Sequence, residues 1–510
     1  MSAPRIHPVQ VRLLLVTAMV SSAAGLVLEL LLVTQASYLS GDATLATGVV
    51  VGTFLAAMGL GAWLSQFLAQ RGPLIERLLK TLVWVELALA PLCLLGPLAL
   101  YLLFWLDGSL WLGTTVFTVL VGVLAGMELP LITRLLESQQ ELRRALARVL
   151  ALDYLGSLVG ALLFPLVLLP LLGLLPTAGA LSLIPVVSAL LLTLHFPVLA
   201  PWRRWVLLLL PLLTLAAVWV APLGDRIEDG LYQDPVIGRF QSRFQRVVLT
   251  RRADDLRLYL DGNLQFSSVD EYRYHEALVH PAMASVRRPE RILLLGAGDG
   301  LALREILRWP SVRSVTLVEL DPLILDIARR HPRLLALNQG SLTDPRVTVL
   351  TGDAFAYTRR LDDSFDVVIA DFPDPDQAAV ARLYSVGFYQ SLRRLLAPGG
   401  VIVTQASTPF FSPNVLASIE RSLQVTGLMT HPYSLSIPSF GPWGFVLAHQ
   451  AVQLPPLQPL PFKARWADDQ QLRSVFAFPM DYRPNNPEQI LENRLSRPVL
   501  LHYQRSGVSK

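Results

Sequence analysis

The chain has too few cysteines for several classes of site. Cys93 is the single cysteine among 510 residues. An internal disulfide and a CxxC redox or zinc motif are therefore excluded. No HExxH motif occurs either, so the sequence predicts no protein-bound metal ion.

Charge is also scarce, and it is unevenly placed. Charged residues make up 16% of the chain, hydrophobic residues 53%, and the formal net charge is +4. The basic residues form no stripe interleaved with aromatics, so nucleic acid is not a predicted partner. The long uncharged runs lie almost entirely before Ala221. This asymmetry, with the length, predicts at least two domains.

The first half of the sequence is predicted to be a transmembrane helical domain over residues 1–224. A helix that crosses a bilayer needs about 20 mostly apolar residues, and about seven such runs occur. They lie at Val11–Leu39, Leu45–Ala69, Leu82–Leu106, Leu110–Leu135, Val149–Leu172, Thr177–Phe196 and Trp205–Ala221. Because further spans follow the first, we expect an uncleaved multi-pass bundle in the lipid bilayer of a cell membrane rather than a signal peptide.

Basic residues collect in alternate loops of this domain. They are Arg5 and Arg12, then Arg71, Arg77 and Lys80, then Arg143, Arg144 and Arg148, and finally Arg203 and Arg204. Positive loops face the cytoplasm, which predicts a cytoplasmic N-terminus. An odd number of spans then places everything after Asp225 outside.

Polar and small residues inside the apolar runs suggest further roles. The acids are Glu29, Glu86, Glu128 and Asp153. Intramembrane carboxylates are functional candidates, so a path for cations stands beside the alternative of hydrogen-bonded packing groups. The pairs Gly48/Gly52 and Gly156/Gly160 predict close helix packing.

A polar linker over 225–238 and a small antiparallel β domain over 239–289 are predicted next. Alternating segments at Gln245–Thr250, Leu256–Leu260 and Asn263–Ser267 indicate its strands. A helix follows, and Glu271, Tyr274, His275 and Leu278 share one of its faces through i, i+3, i+4 and i+7 spacing.

The remainder, 290–510, is predicted to be a Rossmann-like α/β domain of the class I methyltransferase type. The apolar runs Arg291–Leu295, Val315–Val318, Val347–Leu350 and Val367–Ala370 have the character of buried parallel strands. The acids that follow these runs are Asp299, Glu319, Asp353 and Asp371. Ligands bind at the carboxyl ends of such strands, so the acids are expected to line one crevice.

The glycines Gly296, Gly298 and Gly300 let backbone approach a ligand closely at the first turn. Glu319 lies about 20 residues further on, the usual place for an acid that holds ribose hydroxyls.

These motifs, taken in order, resemble the spermidine synthases, or polyamine aminopropyltransferases. The matching residues are Leu260-Asp261-Gly262 with Gln265, Asp270-Glu271 with Tyr274-His275-Glu276, GAGDG at Gly296–Gly300, Val318-Glu319-Leu320-Asp321, Asp353-Ala354, Asp371-Phe372-Pro373-Asp374-Pro375 and Gln405. The resemblance covers about Gln245 to Ala448, and the fused helical half resembles the multi-pass membrane branch of that family.

The resemblance implies transfer of an aminopropyl group from decarboxylated S-adenosylmethionine to a diamine such as putrescine, giving spermidine and methylthioadenosine without a cofactor. It assigns Gly296, Gly298, Glu319, Asp353, Ala354, Gln245 and Gln265 to the donor. It assigns Tyr274, His275 and Asp374 to the polyamine, Asp299 to the aminopropyl ammonium, and Asp371 to proton abstraction as the catalytic base. It also leaves a homodimer open.

Three positions depart from the family pattern. Ala297 stands where the family has a glycine, Phe372-Pro373 stands where it has small polar residues, and Phe440 stands where it has a tyrosine. The loss of that hydroxyl leaves the identity of the acceptor amine open.

Two other function classes fit part of the sequence. An S-adenosylmethionine-dependent methyltransferase shares the glycine turn and Glu319, but does not predict Asp371-x-x-Asp374-Pro together with the Tyr274-His275-Glu276 helix. A membrane polyamine transporter or sensor without turnover fits the acids in the apolar runs. For an aminopropyltransferase, a donor made in the cytoplasm favours a cytoplasmic catalytic domain, against the loop charges.

Overall fold

A computed structural model describes residues 6–67, 74–106, 109–137, 141–451, 453–454 and 456–507. The chain divides into two compact units, Met1–Pro235 and Val236–Lys510. Arg5, Arg71 and the end of the second predicted apolar run, 68–69, lie outside the described residues.

The first unit is helical throughout. Its helices are α1 (Pro8–Ser40), α2 (Ala43–Leu64), α3 (Leu74–Trp105), α4 (Leu110–Glu137), α5 (Leu142–Leu163), α6 (Leu169–Leu172), α7 (Leu174–His195) and α8 (Arg203–Asp229), with a π-helical turn at Phe164–Leu168 and a 3₁₀ helix at Pro197–Trp202. Because α5, the π turn and α6 follow one another directly, they form one span, and seven helical segments are long and apolar enough to cross a membrane. The predicted number of long apolar helical segments is confirmed.

Close packing in this unit depends on particular glycines. A Cβ on Gly156 would lie 2.1 Å from Met19 O, and one on Gly160 would lie 2.4 Å from Ala23 O. The close approach predicted for this pair is therefore confirmed, and it joins α5 to α1. The same prediction for Gly48 and Gly52 is wrong, because nothing lies within 4 Å of a Cβ at either position.

The predicted intramembrane acids differ in exposure. Glu86 is fully buried, and Glu29 and Glu128 are each 7% exposed. Ser21 Oγ donates a hydrogen bond of 3.3 Å to Glu86 Oε1, joining α1 to α3. Asp153, on α5, is only partly buried. The Ser21–Glu86 contact supports the packing interpretation for Glu86, and the cation path stays a prediction.

The connection between the two units is shorter than the sequence suggests. The polar residues from Asp225 onward continue α8 to Asp229, and the first strand begins at Val236. Only 230–235 lie between these elements, compared with the predicted linker 225–238. Polar composition marks where a helix becomes hydrophilic, but it does not by itself end the helix.

The second unit opens with a four-stranded antiparallel sheet. Its strands are β1 (Val236–Gln241), β2 (Arg246–Arg252), β3 (Asp255–Leu260) and β4 (Asn263–Ser267), in spatial order β1-β2-β3-β4. The three predicted segments correspond to β2, β3 and β4. The first half of β1, 236–238, falls within the predicted linker, and the strand has no clear alternation of apolar and polar residues.

A seven-stranded mixed sheet of order β10-β11-β9-β8-β5-β6-β7 forms the core of this unit. Its strands are β5 (Arg291–Gly296), β6 (Ser314–Glu319), β7 (Val347–Thr351), β8 (Phe365–Asp371), β9 (Leu396–Gln405), β10 (Met429–Ile437) and β11 (Gly441–His449). The β7-β6-β5-β8-β9 part is parallel, and β11 and β10 add antiparallel strands at one edge. The predicted Rossmann-like class is confirmed.

Helices cover this sheet and connect its strands. They are α9 (Glu271–Ala284), α10 (Leu301–Leu307), α11 (Pro322–Arg330), α12 (Pro332–Asn338), α13 (Ala354–Arg360), α14 (Ala378–Ala381), α15 (Val386–Arg394), α16 (Pro413–Gln424), α17 (Asp469–Ser474) and α18 (Val499–Gly507), with 3₁₀ turns at Ser341–Thr343, Arg382–Tyr384, Met480–Tyr482 and Pro487–Gln489. The sheet thereby brings the carboxyl ends of β5, β6, β7 and β8 to one edge.

Candidate active site

The glycine turn after β5 is shaped by contacts that exclude side chains. Gly296 has φ +79°, and a Cβ there would lie 2.0 Å from Asp371 O. A Cβ on Gly298 would lie 2.8 Å from Glu319 Oε2. Ala297 also has a positive φ, +59°, where glycine has no steric cost. The family's glycine at this position therefore has a physical reason, and this chain holds an alanine in a strained conformation.

Glu319, the last residue of β6, is fixed by two backbone groups. Its Oε2 accepts from Gly298 N at 3.1 Å, and its Oε1 accepts from Asp321 N at 2.9 Å. Burial raises the pKa of Glu319 to about 7, although these hydrogen bonds oppose the shift. The carboxylate therefore lies directly behind the glycine turn, and its predicted ribose contact stays a prediction.

Gln245, a predicted donor contact, is held beside this acid. Its Nε2 donates to Asp321 Oδ2 at 2.9 Å, and Ser242 Oγ donates to the same oxygen at 2.7 Å. Asp321 also caps α11 by accepting from Leu323 N. One carboxylate thus links the four-stranded sheet to the carboxyl end of β6.

Asp353 and Ala354 form the turn after β7. The Asp353 carboxylate caps α13 by accepting from Phe355 N at 3.0 Å, and it lies 3.2 Å from Arg382 Nη2. Ala354 is 6% exposed. The geometry gives Asp353 a structural role at the helix start, while its position at the strand end still suits an adenine contact.

Asp371 ends β8 and receives a short hydrogen bond. Tyr274 OH donates to Asp371 Oδ1 at 2.6 Å. Burial raises the pKa of Asp371 to about 6, although the charge of His275 and the Tyr274 hydrogen bond oppose this. Tyr274 therefore orients one oxygen of a carboxylate whose proton affinity is well above that of an ordinary aspartate.

His275 belongs to a buried chain of charges beneath Tyr274. Its Nδ1 lies 2.8 Å from Glu271 Oε2, and Arg304 contacts both oxygens of Glu271 at 3.0 Å. Burial lowers the pKa of His275, but the hydrogen bond and charge of Glu271 outweigh that effect and raise it overall. The imidazole is thus held by the carboxylate in one orientation.

Asp374 lies in the loop after β8, among polar side chains. Ser407 Oγ donates to its Oδ2 at 3.0 Å, and Gln405 Nε2 lies 3.4 Å from its Oδ1. Gln405 Nε2 also donates to Phe372 O at 2.7 Å, and Tyr384 OH donates to Pro373 O at 2.9 Å. The loop therefore has a defined shape even though Phe372-Pro373 replaces small polar residues.

Aromatic rings surround Tyr274. Its ring centroid lies 6.4 Å from Phe440, 6.5 Å from Trp443 and 5.3 Å from Phe445. Phe440 and Trp443 are themselves 5.2 Å apart. The position that lacks the family hydroxyl thus belongs to an apolar wall, which suits a methylene chain.

Two predicted residues are less closely tied to this centre. Asp299 Oδ1 accepts from Leu301 N at 2.9 Å at the start of α10, and its charge acts on both His275 and Asp371. Gln265, on β4, donates to Asn263 O at 3.2 Å. Its predicted donor contact stays a prediction.

Several residues around the site carried no usable sequence signal. Tyr384, Ser407, Arg304 and Gln504 contact the predicted residues, yet none of them stands in the quoted motifs. Ser407 has φ +61°, which no sequence pattern indicates for a serine. Only chain folding brings residues so distant in sequence together.

A further cluster, Glu276, His280 and Glu305, has ligand atoms within 4.8 Å of one another. Its groups are already engaged, because Glu276 accepts backbone hydrogens of Arg465, Trp466 and Ala467, each at 2.8 Å. Glu305 is paired with Arg304 at 2.9 Å. These contacts give the cluster an anchoring role for the C-terminal segment.

Comparison with known proteins shows the family to which this chain belongs. Residues 271–455 match the spermine/spermidine synthase domain. Polyamine aminopropyltransferase 2 of Ralstonia nicotianae is 40% identical over 96% of this chain and 97% of its own. Polyamine aminopropyltransferase 1 of Streptomyces coelicolor is 41% identical over 96% of this chain and 93% of its own. A spermidine synthase solved with the transition-state analogue AdoDATO aligns over 48% of this chain and 85% of its own, at 28% identity and a TM-score of 0.46. Since the similarity to the two relatives spans nearly the whole of each chain, the protein belongs to the polyamine aminopropyltransferase family.

Proposed function

We propose that the protein transfers the aminopropyl group of decarboxylated S-adenosylmethionine to a diamine such as putrescine. The products are a longer polyamine, spermidine in that case, and methylthioadenosine. The observation that carries this proposal is the pair Asp371 and Asp374 at the end of β8, each oriented by a different side-chain network. A methyltransferase has no need of this second acid.

The proposed donor site lies along the carboxyl ends of β5, β6 and β7. Glu319 receives the ribose hydroxyls, Asp353 and Ala354 meet the adenine, and the turn at Gly296 and Gly298 lets backbone approach the donor. Gln245 and Gln265 complete the site from the four-stranded sheet. Asp299 meets the ammonium of the aminopropyl group.

The acceptor occupies the space between the apolar wall of Phe440 and Trp443 and the loop after β8. Tyr274 and His275 line it on one side, and Asp374 holds an ammonium group. Both substrates are cations, so a pocket lined by carboxylates favours their binding electrostatically. The apolar wall around Phe440 suits the methylene chain.

The chemical step needs a neutral amine. In solution at neutral pH the acceptor amine is protonated, because its pKa is about 10.4. Asp371 accepts the proton from the attacking nitrogen, a new carbon–nitrogen bond forms at the carbon next to the sulfonium, and the carbon–sulfur bond breaks. Its electron pair stays on sulfur, which leaves as neutral methylthioadenosine. Tyr274 keeps the accepting carboxylate in place.

We also propose that the helical unit, residues 1–224, is inserted in the bilayer of the cell membrane as a multi-pass anchor. Its seven apolar helices have the length and composition for this. Residues 236–289, which begin with β1 rather than at the predicted 239, and residues 290–510 then form the small β domain and the catalytic domain. Assembly as a homodimer stays a prediction.

The test is product analysis with purified full-length protein in detergent. With decarboxylated S-adenosylmethionine and putrescine, we expect equal amounts of methylthioadenosine and spermidine. Methylated products from ordinary S-adenosylmethionine, without methylthioadenosine release, would identify a methyltransferase. Binding of putrescine without any turnover would identify a sensor or transporter.

A further inference from the structure

The C-terminal helix α18 reaches the proposed acceptor site. Gln504 Nε2 lies 3.5 Å from Asp374 Oδ2, the same oxygen that accepts from Ser407 Oγ at 3.0 Å. Gln504 lies well beyond residues 271–455, which match the family domain. The site therefore includes a side chain from outside that domain.

The other end of this side chain is left without a donor. Gln504 Oε1 is buried and has no hydrogen-bond partner among the residues that the structure describes. An ionised carboxylate can only accept, so the amide nitrogen faces Asp374 and the amide oxygen is the free acceptor. Buried polar atoms are nearly always paired in folded proteins. A donor from a bound ligand would satisfy this one.

Helix α18 does not depend on Gln504 for its docking. Leu500 is fully buried in the same cluster as Leu416 and Ile419 of α16. Tyr503 OH accepts from Leu491 N at 3.2 Å. These contacts hold the helix, so the amide is free for a role in binding.

We propose that Gln504 is a specificity-determining residue that selects acceptors ending in a primary ammonium. This inference rests on the proposed function, in which Asp374 holds an ammonium of the acceptor. A primary ammonium carries three donors. Asp374 accepts one and Gln504 Oε1 accepts another, whereas a quaternary ammonium has the same charge and no donor. Because the Gln504 amide is neutral, it distinguishes a primary from a quaternary ammonium by the hydrogen-bond donors that each carries and not by their charge.

The experiment compares Gln504→Leu with the wild type in the full-length enzyme. The acceptors are putrescine and a putrescine trimethylated on one nitrogen, which reacts through its free amine. We expect the KM for putrescine to rise about tenfold, the usual effect of losing one hydrogen bond to a charged group. The KM for the trimethylated acceptor and the KM for the donor should stay unchanged. His502→Gln, an exposed position on the same helix, is the matched control and should behave as wild type.

Other outcomes would overturn the inference. If both acceptors lost affinity equally, Gln504 would merely hold Asp374 in place. If neither changed, it would have no role in binding. If the wild type released no methylthioadenosine, the proposed function would fail separately. Calorimetry of putrescine and its trimethylated form with wild type and Gln504→Leu would then still decide whether Gln504 selects a primary ammonium.

Discussion

The acids at the strand ends differ at the scale of single residues because their surroundings differ. The Asp353 carboxylate caps the start of α13 and pairs with Arg382. Among the residues that the structure describes, the Asp371 carboxylate accepts a side-chain hydrogen bond only from the Tyr274 hydroxyl, and burial raises its pKa to about 6. A general base works best when its pKa lies near the working pH. Of the two, Asp371 is the one whose environment suits proton transfer.

Replacing Asp371 by asparagine tests this role. The side chain keeps its shape but loses its charge and its ability to take a proton, so we expect kcat to fall by about 10²–10⁴. Donor affinity should change little, because the proposed donor site depends on Glu319 and the glycine turn rather than on Asp371. Steady-state kinetics with calorimetry of donor binding measure both quantities. Near-normal turnover with weakened donor binding would make Asp371 a donor ligand instead. Asp374→Asn, the matched variant in the same loop, should chiefly raise the acceptor KM.

The pH dependence gives a second test at the same residue. Asp371 acts as a base only when it is deprotonated, so kcat/KM for the acceptor at saturating donor should fall as the pH drops through about 6. The Tyr274 hydrogen bond lowers this pKa. Tyr274→Phe should therefore move the acid limb to higher pH. A limb that stayed at the same pH in Tyr274→Phe would show that another group controls it.

At the scale of elements, helix α9 is tied to the α/β core by buried charge. Glu271 is fully buried between His275 and Arg304, and the hydrogen bonds and charges of these partners lower its pKa despite burial. Removing one partner of a buried ion pair costs about 3–5 kcal/mol. We expect the stability loss of Glu271→Gln to lie at the lower end of this range, because Arg304 still pairs with Glu305. The apparent Tm should then fall by about 6–12 °C.

The control for this variant is a surface pair. Asp326 pairs with Arg330 at 2.9 Å, and their side chains are 48% and 80% exposed. Exposed pairs contribute about 0–1 kcal/mol, so Asp326→Asn should leave the apparent Tm nearly unchanged. Thermal unfolding monitored by tryptophan fluorescence measures both variants. Equal losses of apparent Tm in the two would contradict a special role for the α9 network.

Helix packing in the first unit gives another element-scale prediction. A Cβ on Gly126 of α4 would lie 2.2 Å from Met58 O of α2, whereas nothing lies within 4 Å of one on Gly48. Gly126→Val should force the two helices apart and lower the yield and apparent Tm of the detergent-purified protein. Gly48→Val should keep both. If Gly48→Val lowered yield and apparent Tm while Gly126→Val kept both, the face of α2 that contacts its neighbours would have to be reassigned.

The elements show what the sequence can and cannot predict. Long apolar runs predicted the helices, and buried runs followed by acids predicted β5 to β8, because period and length decide such elements. β1 was missed because Val236–Gln241 lacks clear alternation. The packing face of α2 was misjudged because glycine spacing does not say which side meets a neighbour. Gln504 was missed because its contact with Asp374 spans 130 positions, a distance at which sequence alone carries no geometry.

For the whole molecule, the number of spans decides the topology. The Val149–Phe196 stretch, where a re-entrant segment would change the count, consists of α5 with α6 followed by α7, each long and apolar enough for a full span. Seven spans place the two ends of the described helical unit on opposite sides. Basic residues lie at or near the starts of α3, α5 and α8, three helix ends on one side of a seven-span bundle, and this favours a cytoplasmic N-terminus. This outcome argues against the cytoplasmic side that donor supply favours.

We therefore expect the residues after Asp229 to lie outside the cytoplasm. Alkaline phosphatase, active only outside, and green fluorescent protein, fluorescent only inside, would each be fused after Lys510 in separate chains. The phosphatase fusion should be active and the fluorescent fusion dark. Insertions after Gly41 and within 138–140 serve as internal controls. Three helices, α2, α3 and α4, lie between these positions, so the two must report opposite sides: the first should report outside and the second inside. A fluorescent C-terminal fusion, with both loop reporters inverted, would show that donor supply rather than loop charge sets the orientation.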